Sequence, residues 1–120
     1  MSKSAKTVLY FSYYLFFIGI QLAIVPKLFT DLWKLPETNE PWIRVVGILA
    51  LILGFYYHQS AKKDLTDFLI LTVWGRILYF LGSTILVIAG IAPIIFIVFG
   101  IVDLLAAIWT RQTLKADGKL

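Results

Sequence analysis

Long apolar runs alternate with short polar breaks along this chain. Four runs, residues 8–25, 42–58, 68–89 and 93–110, approach the roughly 20 residues that an α-helix needs to cross a bilayer's hydrocarbon core. The second is the shortest, with Pro41 before it and His58 at its end. The polar breaks between them are brief, except for "VPKLFTDLWKLPETNEP" after the first run. Within it Pro26 ends the first helix, and Leu28, Phe29, Leu32 and Trp33 recur at helical spacing. This pattern predicts a short interfacial helix closed by Pro36, with Trp33 and Trp42 at headgroup level and Thr38 or Asn39 capping the next helix. The whole reads as one domain over residues 1–120: an all-α integral membrane protein, an antiparallel four-helix transmembrane bundle with one short interfacial helix.

Spacing of i, i+3/4 and i+7 gathers polar and small residues onto one side of each span. The second collects Glu40, Arg44, Gly47, Leu51, Gly54 and His58; the third, Thr72, Arg76, Tyr79 and Ser83; the fourth, Phe96, Gly100, Asp103, Ala107 and Thr110. The first is weaker, with Tyr10, Tyr14, Phe17 and Gln21. In lipid, small residues let helix backbones approach closely, so Gly47, Gly54, Gly75, Gly82 and Gly100 are the expected packing positions.

The stretch "LTVWGRILYF" sets Arg76 inside an apolar run. At 1.5 Å per residue, Arg76 lies about 12 Å beyond Phe68, and Asp103 about 15 Å beyond Pro93 on the following span. Opposite charges at matching depth predict an ion pair, with Tyr79, Thr72 and Ser83 adding hydrogen bonds. A charge at the bilayer centre costs about 2.5–3.5 kcal/mol, which pairing offsets. Arg44, near the other end of its span, has Glu40 and Gln21 as expected partners. Arg76, Asp103, Tyr79, Thr72, Arg44 and Gln21 are therefore the candidate ligand-binding residues. Three readings stay open: a buried pair that fixes helix register, a polar spot that meets a ligand carboxylate, carbonyl or headgroup, or part of a proton or ion pathway.

Composition supports lipid as the solvent. Sixty per cent of residues are hydrophobic, mean hydropathy is +0.87, and 15% are charged, against about 25% in soluble chains. The net charge of +4 comes without a basic stripe beside stacking aromatics, so no nucleic-acid partner is expected. With no cysteine and one histidine, no metal site and no cofactor is expected. Lys3 and Lys6 precede the first run, but that run exceeds a signal-peptide core and no A-x-A site follows, which predicts an uncleaved helix. Seven basic residues (Lys3, Lys6, Lys62, Lys63, Arg111, Lys115, Lys119) fall on one side and two (Lys27, Lys34) on the other. The imbalance places both termini in the cytoplasm.

The segments "EPWIRVVGILALILGFYY", "TVWGRILYF" and "GIVDLLAAIWT" resemble the BphX-like proteins of the broader DoxX-like set. These are small four-helix proteins of the bacterial inner membrane whose molecular activity is not established. The resemblance implies the bundle, marks Arg44, Gly47, Gly54, Arg76 and Asp103 as family-pattern residues, and implies no reaction. The leading functional expectation is a protein that binds membrane lipid or a small amphiphile, or serves as an accessory subunit, as a homo-oligomer or beside a partner membrane protein. A small oligomeric transporter or channel is the alternative. An isomerase-type enzyme ranks behind it, because acid–base chemistry of that kind wants at least two buried carboxylates and only Asp103 qualifies; no catalytic residue is assigned.

Overall fold

The computed structural model describes residues 1–36, 38 and 40–120. Among them the chain forms five α-helices and no strand: α1 (Lys3–Ile24), α2 (Pro26–Leu32), α3 (Trp42–Lys62), α4 (Thr66–Ile88) and α5 (Ile95–Ala116). All but α2 are long and apolar enough to cross a membrane. At one end they outrun the apolar runs: α1 begins at Lys3 and α5 continues to Ala116. Hydropathy marks what contacts lipid, whereas Lys, Ser, Ala and Gln continue a helix readily outside it.

Helix ends follow one rule with one exception. In the Schellman arrangement the amide two residues past the cap reaches back five residues, and the preceding residue adopts positive φ. The donors are Leu35 to Thr30, Leu65 to Ser60, Ile91 to Leu86 and Lys119 to Leu114, ending α2, α3, α4 and α5. The positive-φ residues are Lys34, Asp64, Gly90 and Gly118. Lys34, rather than Pro36, thus stops α2. The exception is α1. Pro26 follows one residue after its end and lacks the N–H that the motif requires, so the terminal carbonyls of α1 need another donor. Thr38, one of the two caps expected for the second span, accepts the Glu40 amide at 3.2 Å in the loop before α3 begins at Trp42; Asn39 lies outside the described residues.

The chain divides into two compact units, residues 9–59 and residues 1–8 with 60–120. In the first, Gly47 meets α1: a Cβ there would collide with the Ala23 amide nitrogen and lie 2.8 Å from the Gly19 carbonyl oxygen. A Cβ on Gly19 would lie 2.9 Å from the Gly47 oxygen, and one on Gly54 would lie 2.8 Å from the Phe16 ring. Contact positions therefore rise along α3 as they fall along α1. His58 packs beside the rings of Tyr13 and Phe16, at 5.9 and 6.0 Å between centroids.

In the second unit α4 is inverted relative to a helix in a water-soluble protein. Its exposed positions are Leu71, Trp74, Leu78, Leu81, Ile85 and Ile88, and its buried ones include Thr72, Arg76 and Ser83. That inversion suits a solvent that accepts hydrocarbon and cannot hydrogen-bond. Gly100 of α5 packs on α4, where a Cβ would lie 2.6 Å from Ser83 Oγ. Gly75 and Gly82 do not share that role. A Cβ on either meets nothing within 4 Å, which corrects the expectation of a close-packed glycine column on this helix. Packing on α4 runs instead along Thr72, Arg76 and Ser83, whose side chains fill the space between the two backbones.

Candidate functional site

Arg76 is the largest fully buried side chain, 1% exposed. Side chains on a helix lean toward its N-terminus, and Arg76 follows that lean to the preceding turn. Its Nε donates to the Thr72 carbonyl at 3.0 Å, and Nη2 donates to Thr72 Oγ1 at 3.0 Å and to Thr110 Oγ1 of α5 at 2.9 Å. Thr110, wholly buried, lies 2.7 Å from Thr7 Oγ1, which donates to the Ser4 carbonyl at 2.7 Å. Thr72 donates its own proton to the Leu69 carbonyl. Each hydroxyl proton is thus directed away from the guanidinium and each oxygen toward it. The threonines solvate a cation that is buried away from water.

Among the described residues the hydrogen bonds of Arg76 run to Thr72 and Thr110, where the sequence pointed to Asp103. The reason is axial. Arg76 meets α5 at Thr110, seven residues and about 10.5 Å along the helix from Asp103. Tyr79 is 48% exposed, and its carbonyl accepts from Ser83 Oγ at 2.8 Å. Of the predicted midplane set, Arg76 and Thr72 come together and Asp103 and Tyr79 stay outside their hydrogen bonds.

The row of hydrogen bonds continues to a charged knot at the end of the unit. Ser4 donates its amide and hydroxyl to Asp117 Oδ2 at 2.9 and 2.8 Å. Ser2 does the same to Asp64, at 2.9 Å to Oδ2 and 2.8 Å to Oδ1, and Lys119 Nζ bridges Asp64 Oδ1 at 2.6 Å and Ser2 Oγ at 2.9 Å. The Lys119 hydrogen bond chiefly, with those from Ser2, outweighs desolvation and holds the Asp64 carboxyl down at about 2. The bonds from Ser4 lower that of Asp117 in the same direction. None of Ser2, Ser4, Thr7, Asp64, Asp117 and Lys119 is a candidate on sequence grounds, because the pairings span up to 117 residues. Thr110 lies on the predicted face of the fourth span, without an assigned contact.

A second polar site lies in the other unit, where α1, α2 and α3 meet. Arg44 Nη1 donates to the Ala23 carbonyl at 2.7 Å and to the Ile24 carbonyl at 3.1 Å. It thereby supplies the donor that Pro26 denies to α1, and brings a cation to the negative end of the helix dipole. Glu40 and Gln21, its expected partners, are replaced by these carbonyls; Gln21 is buried, and its Oε1 has no hydrogen-bond partner among the described residues. Beside Arg44 opens a cleft of about 460 Å³. Lys27, Asp31, Glu40 and Arg44 line it together with Ile24, Val25, Leu28 and Ile43. Lys27 and Asp31 are absent from the sequence-derived candidates; their i, i+4 spacing beside a helix-starting proline is the signal that could have found them.

Four helices long and apolar enough to cross a membrane, with a charged cleft beside one of them, are compatible with a membrane protein. Comparison with family models, curated proteins and solved structures finds no match.

Proposed function

We propose that this chain is an integral protein of the bacterial cytoplasmic membrane, an antiparallel four-helix bundle with both termini in the cytoplasm, which binds a lipid or similar amphiphile at the α1–α2–α3 junction. The resemblance to BphX-like proteins belongs to this reading. The four long apolar helices support the membrane assignment, and the seven-to-two distribution of basic residues supports the orientation. The observation that carries the binding role is the cleft itself: charged groups and an apolar wall line one concavity large enough for a small ligand. The Arg76 network serves the bundle as a register-fixing core, and the ligand site moves to Arg44. An accessory subunit that holds lipid for a partner membrane protein would use the same cleft.

Native mass spectrometry of the detergent-purified chain tests this. Wild type retains bound lipid, and Lys27→Gln, an exposed change outside the α1 cap, retains less. Equal lipid retention by wild type and a Lys27→Gln/Arg44→Gln double variant would remove the cleft as the site.

A further inference from the structure

The charge pattern of the cleft narrows the ligand. Resting on the reading just given, we propose that it takes a zwitterionic amphiphile whose headgroup joins a phosphate to a primary ammonium, the phosphoethanolamine class.

Among the described residues two cations and two anions line this cleft: Lys27 and Asp31 from α2, Arg44 from α3, and Glu40 just before α3. Lys27 and Asp31 stand four residues apart on α2, a spacing at which opposite charges on a helix commonly pair, and Glu40 precedes Arg44 by the same four residues across the start of α3. Here neither pair closes within 4.0 Å. Arg44 is turned to the α1 carbonyls through Nη1, and among the described residues no acceptor holds its Nε and Nη2. A fixed guanidinium with free N–H groups, beside a lysine, suits a phosphate. Carboxylates on Asp31 and Glu40 suit an ammonium that can donate hydrogen bonds.

Ligands of a single sign fit less well. An anionic phosphoglycerol headgroup meets the same two cations, but it also brings its charge beside Asp31 and Glu40 with nothing to offer them. A phosphocholine headgroup carries the right charges, but its ammonium has no N–H to donate. The apolar wall of Ile24, Val25, Leu28 and Ile43 continues from the charged groups and receives the start of the acyl chains.

The test uses the full chain in nanodiscs made from equal parts of phosphatidylethanolamine, phosphatidylglycerol and phosphatidylcholine, with retained lipid identified after release. Wild type should retain the ethanolamine lipid over each of the others by roughly threefold, the ratio that an exposed ion pair supports. Asp31→Asn/Glu40→Gln should erase the preference over phosphatidylglycerol while lipid is still retained, and Lys27→Gln should lower retention of all three. Retention of lipid with phosphatidylglycerol or phosphatidylcholine equal to or above the ethanolamine lipid overturns the headgroup assignment and leaves the cleft as a lipid site. Loss of all retention in wild type overturns both.

Discussion

Replacing Thr110 by valine removes one hydroxyl and changes almost nothing else, because the two side chains have nearly the same shape and similar helix propensity. The hydroxyl has two partners, Arg76 Nη2 at 2.9 Å and Thr7 Oγ1 at 2.7 Å. A hydrogen bond to a charged group contributes about 1.5–3 kcal/mol and a neutral one about 0.5–1.5 kcal/mol in water-soluble proteins. Measured values inside membranes are smaller, near 0.6 kcal/mol on average. Thr110 is completely buried, so no water replaces the lost acceptor. Thr110→Val should therefore cost about 2 kcal/mol. Thr7→Val, which leaves Arg76 with its acceptor on α5, should cost about 1 kcal/mol or less. The two share one bond, so the double variant should cost less than the sum of the singles. Thr110→Ser keeps the oxygen and loses a methyl, for under about 1 kcal/mol. Reversible unfolding in mixed micelles measures all four. Additivity of Thr7→Val and Thr110→Val within about 0.3 kcal/mol, or a Thr110→Val cost no larger than that, would refute the cation-solvating row of hydrogen bonds.

The glycines make a paired prediction in the same assay: Gly47→Ala, which drives a Cβ into the backbone of α1, should destabilise, while Gly75→Ala and Gly82→Ala should be neutral or stabilising, by up to about 1 kcal/mol. For Asp64, whose carboxyl is held at about 2 in place of 3.8, the stabilisation is complete above the ordinary value and fades as acid titrates the folded carboxylate. Wild type should accordingly lose stability between about pH 4 and pH 2, and Asp64→Asn should show a shallower loss over that window when followed by helical circular dichroism. In intact cells, cysteines introduced at Lys63 and Leu120 should escape an impermeant thiol reagent while one at Lys34 reacts; labelling at position 63 or 120 would overturn the proposed orientation.

The helices were legible because four apolar runs separated by prolines, glycines and charges admit few other readings in a chain this hydrophobic. Arg76 was legible as a buried cation needing partners, and Thr72 as one of them, because spacing on a single helix is fixed. Its partner on the neighbouring helix was not. Depth counted from helix ends pointed to Asp103, but the count follows Cα positions, and a long side chain leaning back one turn meets the neighbour elsewhere. Arg44 shows the complementary lesson. Its partners are main-chain carbonyls, exposed by Pro26, and backbone acceptors are invisible to a search for opposite charges. Gly19 was missed although Gly19 and Ala23 stand four apart, the small-residue spacing that lets helices close. Gly75 and Gly82 offered a similar cue and open space instead, since glycine is common in such helices without contact.

The knot that joins Ser2 and Ser4 to Asp64, Asp117 and Lys119 has a consequence for biogenesis. Ser4 and its partner Asp117 are 113 residues apart, so they are synthesised about 6 to 23 s apart at ordinary elongation rates. Until then Ser4, in the first turn of α1, lacks its acceptor, although Asp64 is already present for Ser2. On the membrane reading proposed above, the spans enter the bilayer one after another, yet Ser4 of the first meets Asp117 only after the fourth has been made. Insertion and final packing are thereby separate events in time, and a ribosome-bound chain halted before Asp117 should hold its helices in lipid with that contact still open.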